Sequence, residues 1–206
     1  MQLVIGNKNY SSWSLRPWLA MKVLGLAFDE IRIHLYGPGS KERILAHSPA
    51  GKVPILKDGP TLVWDSLAII EYLAERNPQL WPRDRAERAR ARSISAEMHS
   101  GFAQLREHMS MNVRKRYPGK GRTSEVEKDI TRISAIWAEA KGPFLYGEFT
   151  AADAMYAPVV LRFRTYGVEG PNRKYMDAML ALPAMREWVE AAEREPESIP
   201  ELDLYG

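Results

Sequence analysis

Cysteine is absent from this chain of 206 residues, which excludes disulfides, thiolate-ligated zinc and a cysteine nucleophile together. The lack fits a reducing compartment. Histidine is scarce, with 4 residues. None stands at a ligand spacing from another, so no metal site is expected. No run of about eighteen apolar residues occurs, so no membrane span is expected. The opening stretch MQLVIGNKNYSSWSL has no basic start before an apolar segment and reads as a strand and a loop, not a secretion signal. A cytoplasmic location follows as an expectation. Charge of one sign is also in short supply. The formal net charge is +3, enough to favour an anionic small molecule weakly but too little to argue for nucleic acid. The most basic stretch, residues 83–92, interleaves its arginines with Asp84 and Glu87 and holds no aromatic residue. It reads as a solvated helix face and not as a nucleic-acid surface.

What is present, 45% hydrophobic and 27% charged residues, is the balance of a chain able to bury a core. Two grammars divide it. Residues 2–5 read as a strand, 7–12 as a polar loop, and 14–24 as a helix carrying Leu15, Trp18, Leu19 and Val23 at helical spacing. Pro17 falls in the first turn, where its missing N–H costs nothing. Ile31, Ile33 and Leu35 alternate with polar residues as a half-buried strand would, and Gly37-Pro38-Gly39 breaks the chain. Residues 53–56 and 61–63 form two short strands around the turn signal Lys57-Asp58-Gly59-Pro60. Helical spacing returns through Leu67, Ile70 and Leu73. The order is βαβ and then ββα. Residues 77–84, with two prolines, read as a linker. From residue 85 onward the pattern is helical. Ile94, Met98, Phe102, Leu105 and Met109 mark one face, followed by Ile130, Ile133 and Trp137, then Met155, Val159 and Phe163, then Met185, Trp188 and Ala192. The stretches 117–122 and 167–173 are breaks. The expected organisation is an α/β domain over residues 1–78 and an all-helical domain over residues 85–206, with a cleft between them as a natural ligand site.

Three segments of the first half can carry chemistry. In Ser48-Pro49-Ala50-Gly51-Lys52-Val53-Pro54-Ile55-Leu56, a Val-Pro bond opening a strand is a candidate cis peptide, which would turn the Val53 backbone N–H and C=O toward an extended peptide. On spacing alone, an ordinary trans proline at the start of an edge strand is the plainer account. In Trp64-Asp65-Ser66-Leu67-Ala68, Asp65 and Ser66 stand at a strand-to-helix junction. A helix start suits a carboxylate, the Ser66 hydroxyl adds a donor, and Asp65 can accept from an ammonium group. Plain capping explains the same pair. In Tyr10-Ser11-Ser12-Trp13-Ser14, a hydroxyl at the first helix start can donate to an anion, or Ser12 or Ser14 can serve as a cap.

Together these segments resemble the glutathione transferase family, through the patterns S-P-x-x-x-V-P-x-L and D-S-x-A-I-x-x-Y-L. A fourth segment, Phe144-Leu145-Tyr146-Gly147-Glu148-Phe149-Thr150-Ala151-Ala152-Asp153, looks like that family's F-L-x-G-x-x-x-T-x-A-D signature and carries the resemblance into the helical half. Thr150 and Asp153 have capping-box spacing, which makes this segment a folding element and not a catalytic one. The resemblance implies a thioredoxin-like domain followed by a helical bundle, glutathione as co-substrate, no metal, and a homodimer.

The run Ser-Ser-Trp-Ser-Leu-Arg is similar to the Ser-Ser-Cys-Ser-Trp-Arg of zeta-class transferases, with Trp13 in the place of the cysteine. On that match Ser11 takes the place of the catalytic serine, with Ser12 and then Tyr10 as alternatives for the group that donates to the glutathione sulfur. A free thiol ionises near pH 8.5, and a downward shift of about two units needs about 2.7 kcal/mol. One hydroxyl hydrogen bond to an anion supplies about 1.5–3 kcal/mol, and a helix dipole about 0.3–1 kcal/mol. By the same carry-over the Val53 backbone pairs with the cysteinyl residue beside Pro54, Asp65 and Ser66 hold the γ-glutamyl head, and Lys52 reaches the glycyl carboxylate. The second-substrate pocket falls among His99, Arg106, Met111, Asn112 and Arg114, with Arg106 or Arg114 the candidates to face an anionic substrate. The resemblance implies conjugation of glutathione to small hydrophobic electrophiles, or hydroperoxide reduction. The alternatives are a glutathione-dependent cis–trans isomerase of the maleylacetoacetate type and a non-catalytic binding module on the same fold. The acidic stretch 193–203 reads as a tail packed on the surface.

Overall fold

The computed structural model describes residues 1–169 and 172–205. Its first third is a four-stranded sheet in the order β2-β1-β3-β4. β1 (Gln2–Ile5) runs parallel to β2 (Asp29–Arg32) and antiparallel to β3 (Ile55–Asp58), and β3 pairs in turn with antiparallel β4 (Thr61–Trp64). The parallel pair needs a crossover, which α1 (Ser12–Val23) supplies with Pro17 inside it. α3 (Ser66–Arg76) packs against α1 in the same layer. The other face of the sheet buries Val4, Ile33 and Ile55 against Ile44 of the short α2 (Ser40–Leu45). β2 ends one turn earlier than the alternation of Ile31, Ile33 and Leu35 suggests. Beyond it the Ile33 N–H still donates to Ile5 O at 2.9 Å, but Leu35 N–H goes to the Asn7 side chain at 2.8 Å because β1 has already turned into its loop.

A 3-10 turn (Pro78–Leu80) leads to the helical part: α4 (Arg85–Ser100), α5 (Ala103–His108), α6 (Ser124–Ala138), α7 (Ala151–Tyr166), α8 (Arg173–Ala181) and α9 (Pro183–Glu193). The single apolar face running from Ile94 to Met109 is interrupted. Gly101 ends α4, and Phe102 at φ +56° redirects the chain into α5, although all five side chains of that face stay buried. A Cβ on Gly101 would come within 2.8 Å of Glu97 O, which is why glycine stands there. Of the expected break at 167–173, Gly170 and Pro171 lie outside the described residues.

α7 is the axis of the molecule. It is buried all round and packs against both α1 and α4, so one apolar core joins sheet layer and helices. Its start is held as the Thr150–Asp153 spacing suggests. Asp153 accepts from the Thr150 N–H at 2.8 Å, the Thr150 hydroxyl at 2.9 Å and the Leu145 N–H at 3.0 Å. Burial pushes the carboxyl of Asp153 up to about 6, against the pull of those donors. Among the described residues no helix is long and apolar enough to cross a membrane.

The acidic C-terminal stretch is not a surface tail. Glu195 is buried, with its carboxylate accepting from the Lys8 N–H at 2.6 Å and the Asn9 N–H at 3.0 Å. Glu197 forms a fork with Arg32 at 2.8 and 3.1 Å. Loop N–H groups without a sheet partner must find an acceptor when buried, and the returning carboxylate is that acceptor.

Candidate active site

The junction of the two regions is a cleft of about 1090 Å³. It brings together every residue predicted to hold glutathione or its thiol: Ser11 and Ser12 at the start of α1, Lys52, Val53 and Pro54 before β3, and Asp65 and Ser66 at the start of α3, with Tyr10 alongside. From the helical region it adds His99, Arg106, Met111 and Arg162. A smaller hollow of about 280 Å³ beside α4 is lined by Glu87, Arg90, Glu139 and Lys141. Those charges pair with one another, Arg90 with Glu139 and Lys141 with Glu87.

The Val53-Pro54 peptide bond is cis. Val53 is half-buried and Lys52 exposed on the rim, with no carboxylate paired to it among the described residues. Asp65 caps α3, its Oδ1 accepting from Leu67 N–H at 2.8 Å and Ala68 N–H at 3.3 Å. It does so at φ +76°, a region that favours glycine. A non-glycine residue there costs of order 1–3 kcal/mol and persists where the surroundings hold it. Its Oδ2 stands 3.2 Å from His99 Nε2. Burial, with Arg16 and Arg106 adding to it, holds the imidazole of His99 below its ordinary pKa despite Asp65.

Ser66 is fully buried, and its Oγ accepts from Arg16 Nη1 at 3.2 Å. Arg16 is itself fully buried. Its guanidinium lies 4.3 Å from the centre of the Trp13 ring, near which Arg106 stands at 4.8 Å. Trp13, in the place where the zeta pattern has cysteine, thus gathers cations by its π face. The same device recurs at α1. Ser12 Oγ accepts from Arg162 Nη2 at 3.3 Å, and Arg162, reaching from α7, is 6% exposed and donates also to Met109 O. Burial first, and Arg106 second, pushes the pKa of Arg162 down to about 9, which leaves it a cation at neutral pH. Burial, with Arg106 and Arg162, likewise lowers Arg16, against Asp65. Arg16, Arg106 and Arg162 hydrogen-bond to serines and carbonyl oxygens, and none is ion-paired with a carboxylate among the described residues.

Of the remaining candidates, Asn112 and Arg114 fall outside the cleft, and Tyr10 lines it with its hydroxyl engaged by other partners. The Tyr10 hydroxyl donates to Asp203 at 3.0 Å and accepts from Arg114 and from Ile199 N–H. Its one proton is committed to the C-terminal segment. Arg114 donates to the carbonyl oxygens of Glu195 and Glu197, and Asn112 to Asp203. Both hold that segment and do not line the cleft. Arg16 and Arg162 were not singled out by the sequence pattern. The available signal was an arginine in the middle of an apolar helical run, between Leu15 and Leu19 in one case and between Leu161 and Phe163 in the other.

A thioredoxin-like sheet layer followed by a helical bundle, with the cleft between them, defines a glutathione transferase fold. The chain matches the family model described as "Glutathione S-transferase, N-terminal domain" over residues 10–76 and "Glutathione S-transferase, C-terminal domain" over residues 85–191. It belongs to the glutathione S-transferase family. It is 30% identical over 205 residues to the maleylacetoacetate isomerase of Rattus norvegicus, covering 93% of this chain and 92% of the relative. It is 28% identical over 205 residues to the stringent starvation protein A homolog of Coxiella burnetii, covering 96% and 93%. Among solved structures, a bacterial maleyl pyruvate isomerase described as a zeta-class glutathione S-transferase superposes with a TM-score of 0.71 at 22% identity, over 97% of this chain and 100% of that one.

Proposed function

We propose that this protein is a glutathione-dependent enzyme that uses the glutathione thiolate to isomerise a small cis-unsaturated acid of the maleylacetoacetate type. The observation that carries the reading is the pair Arg106 and Arg162, two cations lining the cleft that form no ion pair with a carboxylate among the described residues, Asp129 acting on Arg106 only from beyond ion-pair distance. Buried charge without a partner is costly, and an acidic substrate would relieve it. The maleylacetoacetate isomerases among the relatives favour this reading over general conjugation.

Glutathione lies along residues 1–78. Its cysteinyl backbone pairs with Val53 beside Pro54, its glycyl carboxylate meets Lys52, and its γ-glutamyl head meets Asp65 and Ser66. A serine hydroxyl at the start of α1, Ser11 or Ser12, donates to the sulfur. The thiolate adds to one carbon of the cis double bond, forming the C–S bond while the electron pair moves onto the conjugated carbonyl oxygen. Rotation about the bond, now single, precedes return of the electrons and departure of the thiolate. Glutathione is regenerated and no net proton is consumed. The arginines hold the carboxylate and stabilise the transient oxyanion, a preorganised electrostatic effect. No protein cysteine takes part, so Trp13 is no obstacle. Residues 85–206 shape the acid pocket. The protein works as a cytoplasmic homodimer, for which sedimentation gives the test.

The experiment is incubation of the purified protein with glutathione and maleylacetoacetate or maleylpyruvate, following product geometry and free thiol together. The expected result is cis-to-trans conversion with glutathione undiminished. Glutathione consumed by a haloaromatic or a hydroperoxide, with the diacid untouched, would return the reading to conjugation or peroxide reduction. No turnover of any of these would favour a binding module.

A further inference from the structure

We infer that Ser12, backed by the buried Arg162, is the hydroxyl that ionises the glutathione thiol, and that Ser11 is the lesser partner. This rests on the reading that the cleft holds glutathione.

The two serines differ in what their protons do. Ser11 Oγ donates to Ser14 Oγ at 2.7 Å, and Ser14 Oγ accepts also from the Gly6 N–H at 3.1 Å. The Ser11 proton is spent inside the protein. Ser12 is in the opposite state: its Oγ receives an N–H from Arg162, so its own proton is left for the cleft it lines. A hydroxyl has one proton to give and two lone pairs to fill. Filling one from a guanidinium makes the remaining O–H a stronger donor.

Arg162 supplies charge as well as orientation. It is 6% exposed, and α7 around it is apolar. The charged and titratable groups that bear on it are Arg106 from α5, Arg16 from α1 and Tyr166 from its own helix. Arg106 and Arg16 are cations, and Tyr166 is neutral at pH 7, its hydroxyl pushed up by burial. Among the described residues no carboxylate pairs with Arg162, and a thiolate at Ser12 Oγ would be its counter-ion. The start of α3 repeats the arrangement, with Arg16 donating to Ser66 Oγ. Arg162 acts through Ser12 and through its charge, and is a positioning residue. A hydrogen bond from a hydroxyl to an anion corresponds to about one to two pH units of thiol midpoint.

The test is the ultraviolet absorbance of bound glutathione thiolate against pH, on the full chain, for wild type, Ser12→Ala, Ser11→Ala, Arg162→Met and Arg162→Lys. The expected wild-type midpoint lies well below that of free glutathione. Ser12→Ala and Arg162→Met raise it by about one to two pH units while glutathione still binds through Asp65 and Ser66. Arg162→Lys, which keeps the charge, restores part of the shift, a recovery that a merely structural arginine would not give. Ser11→Ala moves the midpoint less than Ser12→Ala does. Should Arg162→Met fail to fold, the order of the two serine variants decides alone. A low midpoint that Ser11→Ala raises and Ser12→Ala leaves in place overturns the inference but keeps the glutathione reading. A wild-type midpoint equal to that of the free thiol, or no binding, overturns both.

Discussion

Two helix starts line the cleft, and they are built alike up to one residue. At α3, Ser66 Oγ receives an N–H from buried Arg16; at α1, Ser12 Oγ receives one from buried Arg162. Each serine is thereby left with a proton to offer the cleft, at the positive end of a helix. The difference lies beside them. Asp65 precedes Ser66, caps its helix and opposes the charge of Arg16, whereas among the described residues no carboxylate bonds to Ser12 or pairs with Arg162. A site holding both signs suits a zwitterion such as an amino-acid head. A site holding only positive charge suits an ion that must be created, such as a thiolate. On the proposed reading, the same hydroxyl–guanidinium device serves binding at one end of glutathione and ionisation at the other, and the placement of one carboxylate decides which.

The comparison breaks most visibly through the serines. Ser12→Ala is expected to lower turnover about 10- to 100-fold below pH 7 with little change in KM for glutathione, since about 1.5–3 kcal/mol of thiolate preference is lost. Steady-state kinetics against pH check this, and recovery of the rate at high pH is part of the prediction. Ser66→Ala is expected to do the reverse, raising KM for glutathione about tenfold at nearly constant kcat. Two variants with the same kinetic signature would show that the two starts do not differ in role.

Asp65→Gly sharpens the contrast. Glycine relieves the φ of +76° while removing the cap and the acceptor. Stability is expected within about 1 kcal/mol of wild type, because the strain released offsets the lost cap. Glutathione affinity is expected to fall about tenfold. Thermal unfolding and calorimetric binding on the same sample separate the two effects, and a large loss of stability would make Asp65 chiefly a capping residue.

The smallest expected effect is at His99. Its folded-state pKa is held below the ordinary value, first by burial. The neutral ring is therefore the form the fold prefers. Its contribution to stability is present above the unfolded-state pKa of about 6.5 and is lost as pH falls through the lower folded value. Unfolding measured between pH 7.5 and pH 5 should lose less stability in His99→Gln than in wild type; identical profiles would remove His99 from the pH response.

How much of this was legible in the sequence varies with the distance over which each feature is decided. The β3–β4 hairpin around Gly59-Pro60 and the Thr150–Asp153 start of α7 are local, and their residue types announce them. The interruption between α4 and α5 was hidden because Phe102, Leu105 and Met109 keep the apolar period across a turn that Gly101 and Phe102 impose. The residues gathered in the cleft from 1–78 follow from motifs. Their partners do not, because Arg162 meets Ser12 and Glu195 meets Asn9 only through packing of the chain's two ends, 150 and 186 residues apart. Composition counts such arginines and glutamates as surface. Only their place inside apolar runs, or in a folded neighbourhood, shows otherwise.

The most direct measurement of the account is a structure of the glutathione complex. The sulfur is expected within hydrogen-bond distance of Ser12 Oγ, on the side away from Arg162, and the γ-glutamyl carboxylate at Ser66 Oγ with its ammonium at Asp65. A sulfur placed on Ser11 or Tyr10, with Ser12 turned from the ligand, would contradict it.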